Sequence, residues 1–115
     1  NVWAIGVDSD QYTDGIYTGT KSAVLTSMLK RVENSSLMVL NAVADGTFKG
    51  GVVQMGMEDE GVGYSAANPE LSASVRAQVD AAKTDVLSGK IKLYKTYKEA
   101  LAAGAVPAGL AALDD

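Results

Sequence analysis

The sequence predicts an α/β fold with a largely parallel sheet, and three segments support this class. Residues 2–7 (VWAIGV) form an apolar run without polar alternation, which is typical of a strand covered on both faces. Between Leu25 and Val43, apolar residues recur at helical spacing. Residues 50–57 (GGVVQMGM) form a further apolar segment bounded by glycines, which predicts another strand. The order strand, helix, strand is that of a βαβ unit.

The second strand of this sheet is predicted over residues 22–27 (SAVLTS). The helix that follows it is expected to begin near Met28. We expect it to end near Asp45 and Gly46, because glycine commonly terminates helices. No internal repeat or low-complexity linker divides the chain, so the sequence has the organisation of α/β units throughout.

A second helix is predicted after Asn68, which can cap it, and Pro69, which suits the first helical position. Its apolar stripe continues until Gly89, where we expect the helix to stop. Residues 90–94 (KIKLY) then predict a short strand.

The last element is predicted to be a short helix that ends at Gly104. Thr96 and Glu99 have the spacing of a capping box, which satisfies backbone N–H groups at the start of a helix. Residues 105–115 are small and show little pattern, and we expect a loosely ordered tail there.

The composition argues against several classes of function. A chain of 115 residues with 47% apolar residues can bury a small core. Its net charge of -4 argues against a nucleic-acid partner, because such binding needs a basic surface. The chain has neither cysteine nor histidine, so it lacks thiolate chemistry, the commonest general base and the commonest zinc ligand.

A group of carboxylates follows the first predicted strand. Asp8, Asp10 and Asp14 lie within seven positions, while Thr26 and Ser27 end the next predicted strand. In open α/β sheets, ligands bind outside the carboxyl ends of the strands. We therefore expect Asp8, Asp10, Thr26 and Ser27 to lie at the ligand-binding edge.

The acidic loop that carries Asp8, Asp10 and Asp14 has three interpretations: a metal site, solvated turn residues, or a site for a neutral polar ligand. It does not fit a calcium-binding EF-hand loop, because the sixth position from Asp8 is Thr13 and the twelfth is Gly19. The three aspartates also resemble, weakly, the metal-binding start of nucleoside hydrolases. Alternatively, Asp10 and Asp14 are solvated turn residues, for which aspartate is favoured. In the third interpretation, the carboxylates bind a neutral polar ligand.

Five segments carry a resemblance to a known family: VWAIGVDSDQY, KSAVLTSMLKR, DGTFKGG, GMEDEGVGY and NPELSASV. They resemble the carboxyl-terminal part of the basic membrane protein family, whose members include purine nucleoside receptors of the PnrA type. The resemblance implies a type I periplasmic-binding-protein fold with two flavodoxin-like lobes, each a mostly parallel sheet with flanking helices. On this basis, residues 1–104 form the carboxyl-terminal portion of a bilobal solute-binding domain.

The resemblance also implies a function. Such proteins are the substrate-binding lipoproteins of ABC importers, and they bind a nucleoside between their lobes without catalysis or a cofactor. The implied partners are a nucleoside, an ABC permease, and either the amino-terminal part of the same chain or a second copy. The implied location is extracytoplasmic, with attachment to the membrane through a lipid anchor.

Residue roles follow from the same resemblance. A carboxylate at Asp8, or else at Asp10, is expected to accept hydrogen bonds from sugar hydroxyls. Thr26 and Ser27 are expected to add hydroxyl contacts, with an N-cap role as the alternative. One departure concerns Glu60, because nucleoside-binding relatives would have a lysine there.

Two other functions compete with this interpretation. The first is a metal-dependent nucleoside hydrolase that uses Asp8, Asp10 and Asp14. The second is the ligand-sensing core of a transcription regulator, because such cores share the bilobal fold.

Overall fold

The computed structural model describes residues 2–106, which contain five strands and three helices. In chain order these are β1 (Ala4–Asp8), β2 (Ile16–Thr18), β3 (Lys21–Ser22), β4 (Val24–Lys30), α1 (Val32–Ala44), β5 (Val62–Tyr64), α2 (Ala73–Leu87) and α3 (Tyr97–Ala102). The chain divides into two compact units, residues 1–81 and residues 82–115.

The first unit contains a three-stranded mixed sheet with the strand order β1, β4, β5. β1 and β4 are parallel, and Gly6 faces Ser27 while Asp8 faces Leu29. β5 runs antiparallel to β4. The predicted α/β class is confirmed, and β1 and β4 both end at the same edge of the sheet.

β4 is longer than the sequence predicts. It continues to Lys30 instead of ending at residue 27, so Thr26 and Ser27 lie inside the strand and not at its carboxyl end. The apolar residues from Leu25 onward fit a strand as well as a helix, and pairing with β1 and β5 on both sides decides for the strand. α1 consequently begins only at Val32.

The predicted strand at residues 50–57 is wrong, since these residues form no strand. The place beside β4 is taken by β5, whose antiparallel direction also rules out the predicted βαβ unit. Two backbone bonds flank this pairing: Arg31 N–H donates to Gly61 O, and Ser65 N–H donates to Ser27 O, each at 2.9 Å. A strand forms only when it can pair with the edge of another strand. The described part of the chain offers no such edge to residues 50–57.

A small hairpin formed by β2 and β3 was not predicted from the sequence. The two strands pair antiparallel. Gly19 lies in the turn between them with φ +56°, a left-handed conformation that glycine adopts without a steric penalty.

Asn68 does not cap a helix at Pro69 as predicted. It is buried, its side-chain Nδ2 donates to Val24 O at 2.8 Å, and its Oδ1 accepts from Glu70 N–H at 2.9 Å. Asn68 therefore holds a turn against the start of β4. α2 begins later, at Ala73.

In the second unit, the predicted last helix is present as α3. Thr96 Oγ1 accepts a hydrogen bond from Glu99 N–H at 3.1 Å, as in a capping box. Glu99 Oε2 accepts from Lys95 N–H at 3.0 Å, one residue earlier than that motif predicts. Residues 90–94 form no strand, so that prediction is wrong. Most of the tail predicted at residues 105–115 lies outside the described residues.

Large apolar side chains are extensively exposed in the first unit. None of the residues of α1 is buried. On the sheet, Ile5, Val7 and Met28 are 68%, 56% and 56% exposed. A doubly covered sheet would bury these positions. Within residues 2–106, no helix combines the length and the apolar character that a membrane span needs.

Candidate functional site

The candidate site lies at the edge where β1 and β4 end. Asp8 and Lys30 are the last residues of these two parallel strands, and Lys30 Nζ lies 2.8 Å from Asp8 Oδ1. Both side chains are mostly exposed, at 64% for Asp8 and 66% for Lys30. The hydrogen bond to Asp8, together with the charge of Asp8, raises the pKa of Lys30 above its ordinary value. The predicted carboxylate is therefore present at the predicted edge, but with a cationic partner that the sequence did not indicate.

The backbone of Asp8 is strained. Its φ is +81°, in a region that residues other than glycine rarely adopt. Such a conformation costs about 1–3 kcal/mol and is found disproportionately at ligand sites and switches. It also sets the direction in which the Asp8 side chain leaves the end of β1.

The loop after β1 is fixed by Gln11, which the sequence analysis missed. Its side-chain Oε1 accepts from Val7 N–H, and its backbone N–H donates to Ser27 Oγ, each at 3.0 Å. Ser27 is fully buried. A Cβ at Gly6 would come within 2.5 Å of Ser27 Oγ and would also meet Gln11, so glycine is required for this close approach. These contacts hold the loop that carries Asp8 and Asp10.

Asp10 and Asp14 are both exposed. Asp10 Oδ1 accepts from Tyr12 N–H at 3.1 Å, which is the local bond of an Asx turn. Within residues 2–106, no group of three or more acidic, histidine or cysteine side chains is arranged to hold a metal ion. The structure thus does not bring Asp8, Asp10 and Asp14 together as a ligand set. A ligand contact at Asp10 stays a prediction.

The two hydroxyl residues of β4 make internal contacts. Thr26 Oγ1 donates to Ser65 O at 2.7 Å, and Ser27 Oγ accepts from the loop at Gln11. Their alternative role as helix N-caps is wrong, because α1 begins at Val32. Both residues lie next to the site in the sheet, and a direct contact between either of them and a ligand stays a prediction.

A largely apolar groove of about 820 Å³ lies beside this edge. It runs between α1, which supplies Met38 and Leu40, and the segment that carries Phe48 and Val53. Lys30 lines this groove as well as pairing with Asp8, so the ion pair and the groove are contiguous. The groove could not be predicted from the sequence, because it depends on where the non-strand segment after α1 lies.

Comparison with known proteins identifies the family. Residues 1–97 match the family described as ABC transporter substrate-binding protein PnrA-like. The chain belongs to this family. The resemblance deduced from the five sequence segments is thereby confirmed.

Individual relatives agree with this assignment. The chain is 33% identical to the CD4+ T-cell-stimulating antigen of Listeria monocytogenes, over 80% of the chain and 27% of that antigen. It is 34% identical to the ABC transporter nucleoside-binding protein BmpA of Lactococcus lactis, over 78% of the chain and 26% of BmpA. The chain thus spans about a quarter of the length of these relatives.

A solved structure supports the fold. The ABC transporter solute-binding protein from Aeropyrum pernix superimposes with a TM-score of 0.56 at 22% sequence identity, covering 90% of the chain and 38% of that protein. The chain therefore has the fold of part of a solute-binding protein. None of these matches supports the hydrolase or regulator alternatives.

Proposed function

We propose that this chain is the carboxyl-terminal portion of the substrate-binding component of an ABC importer and forms one wall of a cleft that binds a purine nucleoside. Family membership supports the transport role, and the name of the Lactococcus relative supports a nucleoside as the solute. The observation that carries the proposal is the exposed carboxylate of Asp8 at the end of β1.

The chemistry of that carboxylate suits a sugar. An ionised carboxylate accepts hydrogen bonds only, and bonds from hydroxyl groups to a charged acceptor are about twice as strong as neutral ones. In the proposal, Asp8 makes the first contact with the ribose hydroxyls and Asp10 the second. Thr26 and Ser27 complete the predicted set with hydroxyl contacts from the neighbouring strand, and Ser27 also holds the loop by accepting from Gln11 N–H. The protein catalyses no reaction and uses no cofactor.

Transport requires that binding change the conformation of the receptor. A nucleoside that touches both lobes only when they are closed binds the closed form more tightly, and it shifts the population toward that form. The permease then recognises the closed form. In the proposal, the protein acts outside the cytoplasm and is attached to the membrane through a lipid anchor.

Thermal shift on the receptor that joins this chain to the rest of the bilobal protein tests the proposal. Adenosine, guanosine and inosine are expected to raise the melting temperature, because a ligand bound only to the native state stabilises it by mass action. The Asp8→Asn variant should lose most of this shift. Asp14→Asn, an exposed aspartate in the same loop, is the matched control and should retain it.

Two outcomes would contradict the proposal. The first is stabilisation by calcium alone, with no response to any nucleoside. The second is a nucleoside response that Asp8→Asn leaves unchanged, since the ligand would then not depend on the edge of β1.

A further inference from the structure

We propose that residues 90–98 (KIKLYKTYK), which we call the basic segment, form a docking surface for an anionic lipid membrane. The basic segment lies within the second unit and connects α2 to α3. Membrane contact of this kind goes beyond the proposed function, since it does not involve the nucleoside.

The basic segment concentrates positive charge in an acidic chain. It holds four of the ten lysine and arginine residues and no acidic residue, whereas the whole chain has a net charge of -4. The four lysines are all exposed: Lys90, Lys92, Lys95 and Lys98. Lys90 Nζ pairs with Asp85 Oδ2 at 2.8 Å, and the other three lysines have no acidic partner among residues 2–106. Their charges are therefore uncompensated within the described chain.

Exposed apolar and aromatic side chains are interleaved with these lysines. Ile91, Leu93 and Tyr94 are 42%, 70% and 37% exposed. A lysine side chain can keep its ammonium group at the level of the lipid phosphates while neighbouring apolar groups enter the membrane interface. Tyrosine suits the same depth, because its ring is apolar and its hydroxyl group is polar.

The backbone of the basic segment is fixed by both neighbouring helices. Ile91 N–H donates to Asp85 O on α2, and Lys95 N–H donates to Glu99 Oε2 on α3, each at 3.0 Å. Residues 90–96 form neither helix nor strand between these two contacts. Because the ends are fixed, the segment loses less conformational freedom on meeting a surface than an untethered loop would.

Helix stability does not explain the positions of the lysines. A cation near the start of a helix interacts unfavourably with the positive end of the helix dipole. Lys95 directly precedes the Thr96 cap of α3, and Lys98 lies in the first turn of that helix. An external anion gives a reason for lysine at these positions that the fold does not.

A lipid surface accounts for both features of the basic segment. Nucleic acid requires a broader basic surface than this acidic chain offers. An acidic protein would pair with the lysines but would leave the apolar side chains without a role. On an anionic membrane, the lysines contribute attraction that salt screens, and inserted apolar groups contribute a part that salt does not screen. The two contributions can therefore be measured separately.

Co-sedimentation of the bilobal receptor with lipid vesicles tests the inference. The receptor is prepared without a lipid group, so that only its protein surface can bind. We expect binding to vesicles of phosphatidylglycerol and phosphatidylcholine in equal amounts, and much weaker binding to phosphatidylcholine alone. The binding should weaken strongly as the salt concentration rises to about 1 M, where charges are screened beyond roughly 3 Å.

Variants separate the charged and the apolar contributions. Lys92→Gln/Lys95→Gln should bind the anionic vesicles roughly 30-fold more weakly, because each lysine near such a surface contributes about fivefold. Leu93→Ser should weaken binding severalfold without changing its dependence on salt, since no charge is removed. The matched control is Lys21→Gln/Arg76→Gln, which removes the same charge from exposed positions of the first unit and should bind nearly as the wild type does.

Three results would overturn the inference. One is the absence of binding to the anionic vesicles, and another is an equal effect of Lys92→Gln/Lys95→Gln and its matched control. The third is binding to soluble polyglutamate but not to vesicles, which would indicate an acidic protein partner instead. These measurements contain no nucleoside, so the proposed function stands or fails separately.

Discussion

Asp8 combines two properties, an exposed ion pair and a left-handed backbone. The left-handed conformation brings Cβ too close to the following carbonyl oxygen, and it costs most residues about 1–2 kcal/mol. Glycine has no Cβ and avoids this cost. The strain at Asp8 can therefore be measured separately from its charge.

We expect Asp8→Gly to be more stable than Asp8→Ala by roughly 1 kcal/mol in free energy of unfolding, because both variants lack the carboxylate and only alanine retains the strain. Urea unfolding of the 115-residue chain gives the comparison. Asp45 provides the control, since its φ is -83°. At residue 45, the alanine variant should be at least as stable as the glycine variant. If alanine were also at least as stable as glycine at residue 8, the strain at Asp8 would be contradicted.

The residues that sequence analysis could identify are those whose role is local. Asp8 was placed correctly at the end of β1, since an apolar run shows where a strand ends. The Thr96 cap was found because the motif spans only a few residues. Lys30 and Gln11 were missed because their partners, Asp8 and Ser27, lie far away in sequence. Only the pairing of β1 with β4 brings these residues together.

At the scale of elements, a side-chain hydrogen bond joins β5 to α2. Tyr64 on β5 donates its hydroxyl to Asp80 Oδ1 on α2 at 3.0 Å. Desolvation raises the pKa of Tyr64 above its ordinary value of 10.0, and the hydrogen bond and charge of Asp80 raise it further. An ionised phenol could not donate this bond and would repel the carboxylate.

The contact should make stability depend on pH in the alkaline range. Because the pKa of Tyr64 is higher in the folded chain, its contribution is complete below the unfolded pKa near 10.0 and is lost as the pH rises through the folded pKa. The stability of the wild type relative to Tyr64→Phe should therefore decline at alkaline pH. Chemical unfolding at neutral and alkaline pH measures the free energy of unfolding of both proteins. If the values for the wild type and Tyr64→Phe changed in parallel with pH, the contact would contribute nothing.

The errors in element prediction share a physical cause. Residues 22–30 have apolar residues that fit both helical and strand periods, and two flanking strands settle the choice for β4. Residues 50–57 have the composition of a strand but find no edge to pair with in the described chain. Strand formation depends on a partner, whereas the helical pattern of residues 32–44 is visible from the sequence alone.

At the scale of the whole molecule, the first unit exposes more apolar surface than a finished α/β layer would. Leu40 on α1 is 66% exposed, Ile5 on the sheet is 68% exposed, and Val52 is fully exposed. Extensive exposed apolar surface of this kind marks an interface. The proposed occupant is the remainder of the bilobal receptor, since the relatives are several times longer than this chain.

In isolation, the chain should therefore self-associate. Sedimentation velocity at increasing concentration is expected to show dimers or larger assemblies, because another copy can cover the apolar faces and the open sheet edges. Val52→Ser should weaken the association, whereas Val2→Ser, at an exposed position before β1, should have a smaller effect. A monomer at all concentrations would contradict an unfilled interface.

The most direct test of the central claim is a titration of adenosine into the bilobal receptor and, in parallel, into the 115-residue chain alone. A cleft with this chain as one wall predicts micromolar or tighter binding by the receptor and only very weak binding by the chain, because the contacts from the other lobe are missing. Micromolar binding by the chain alone would contradict the two-lobed site. A receptor that binds no nucleoside would contradict the function itself.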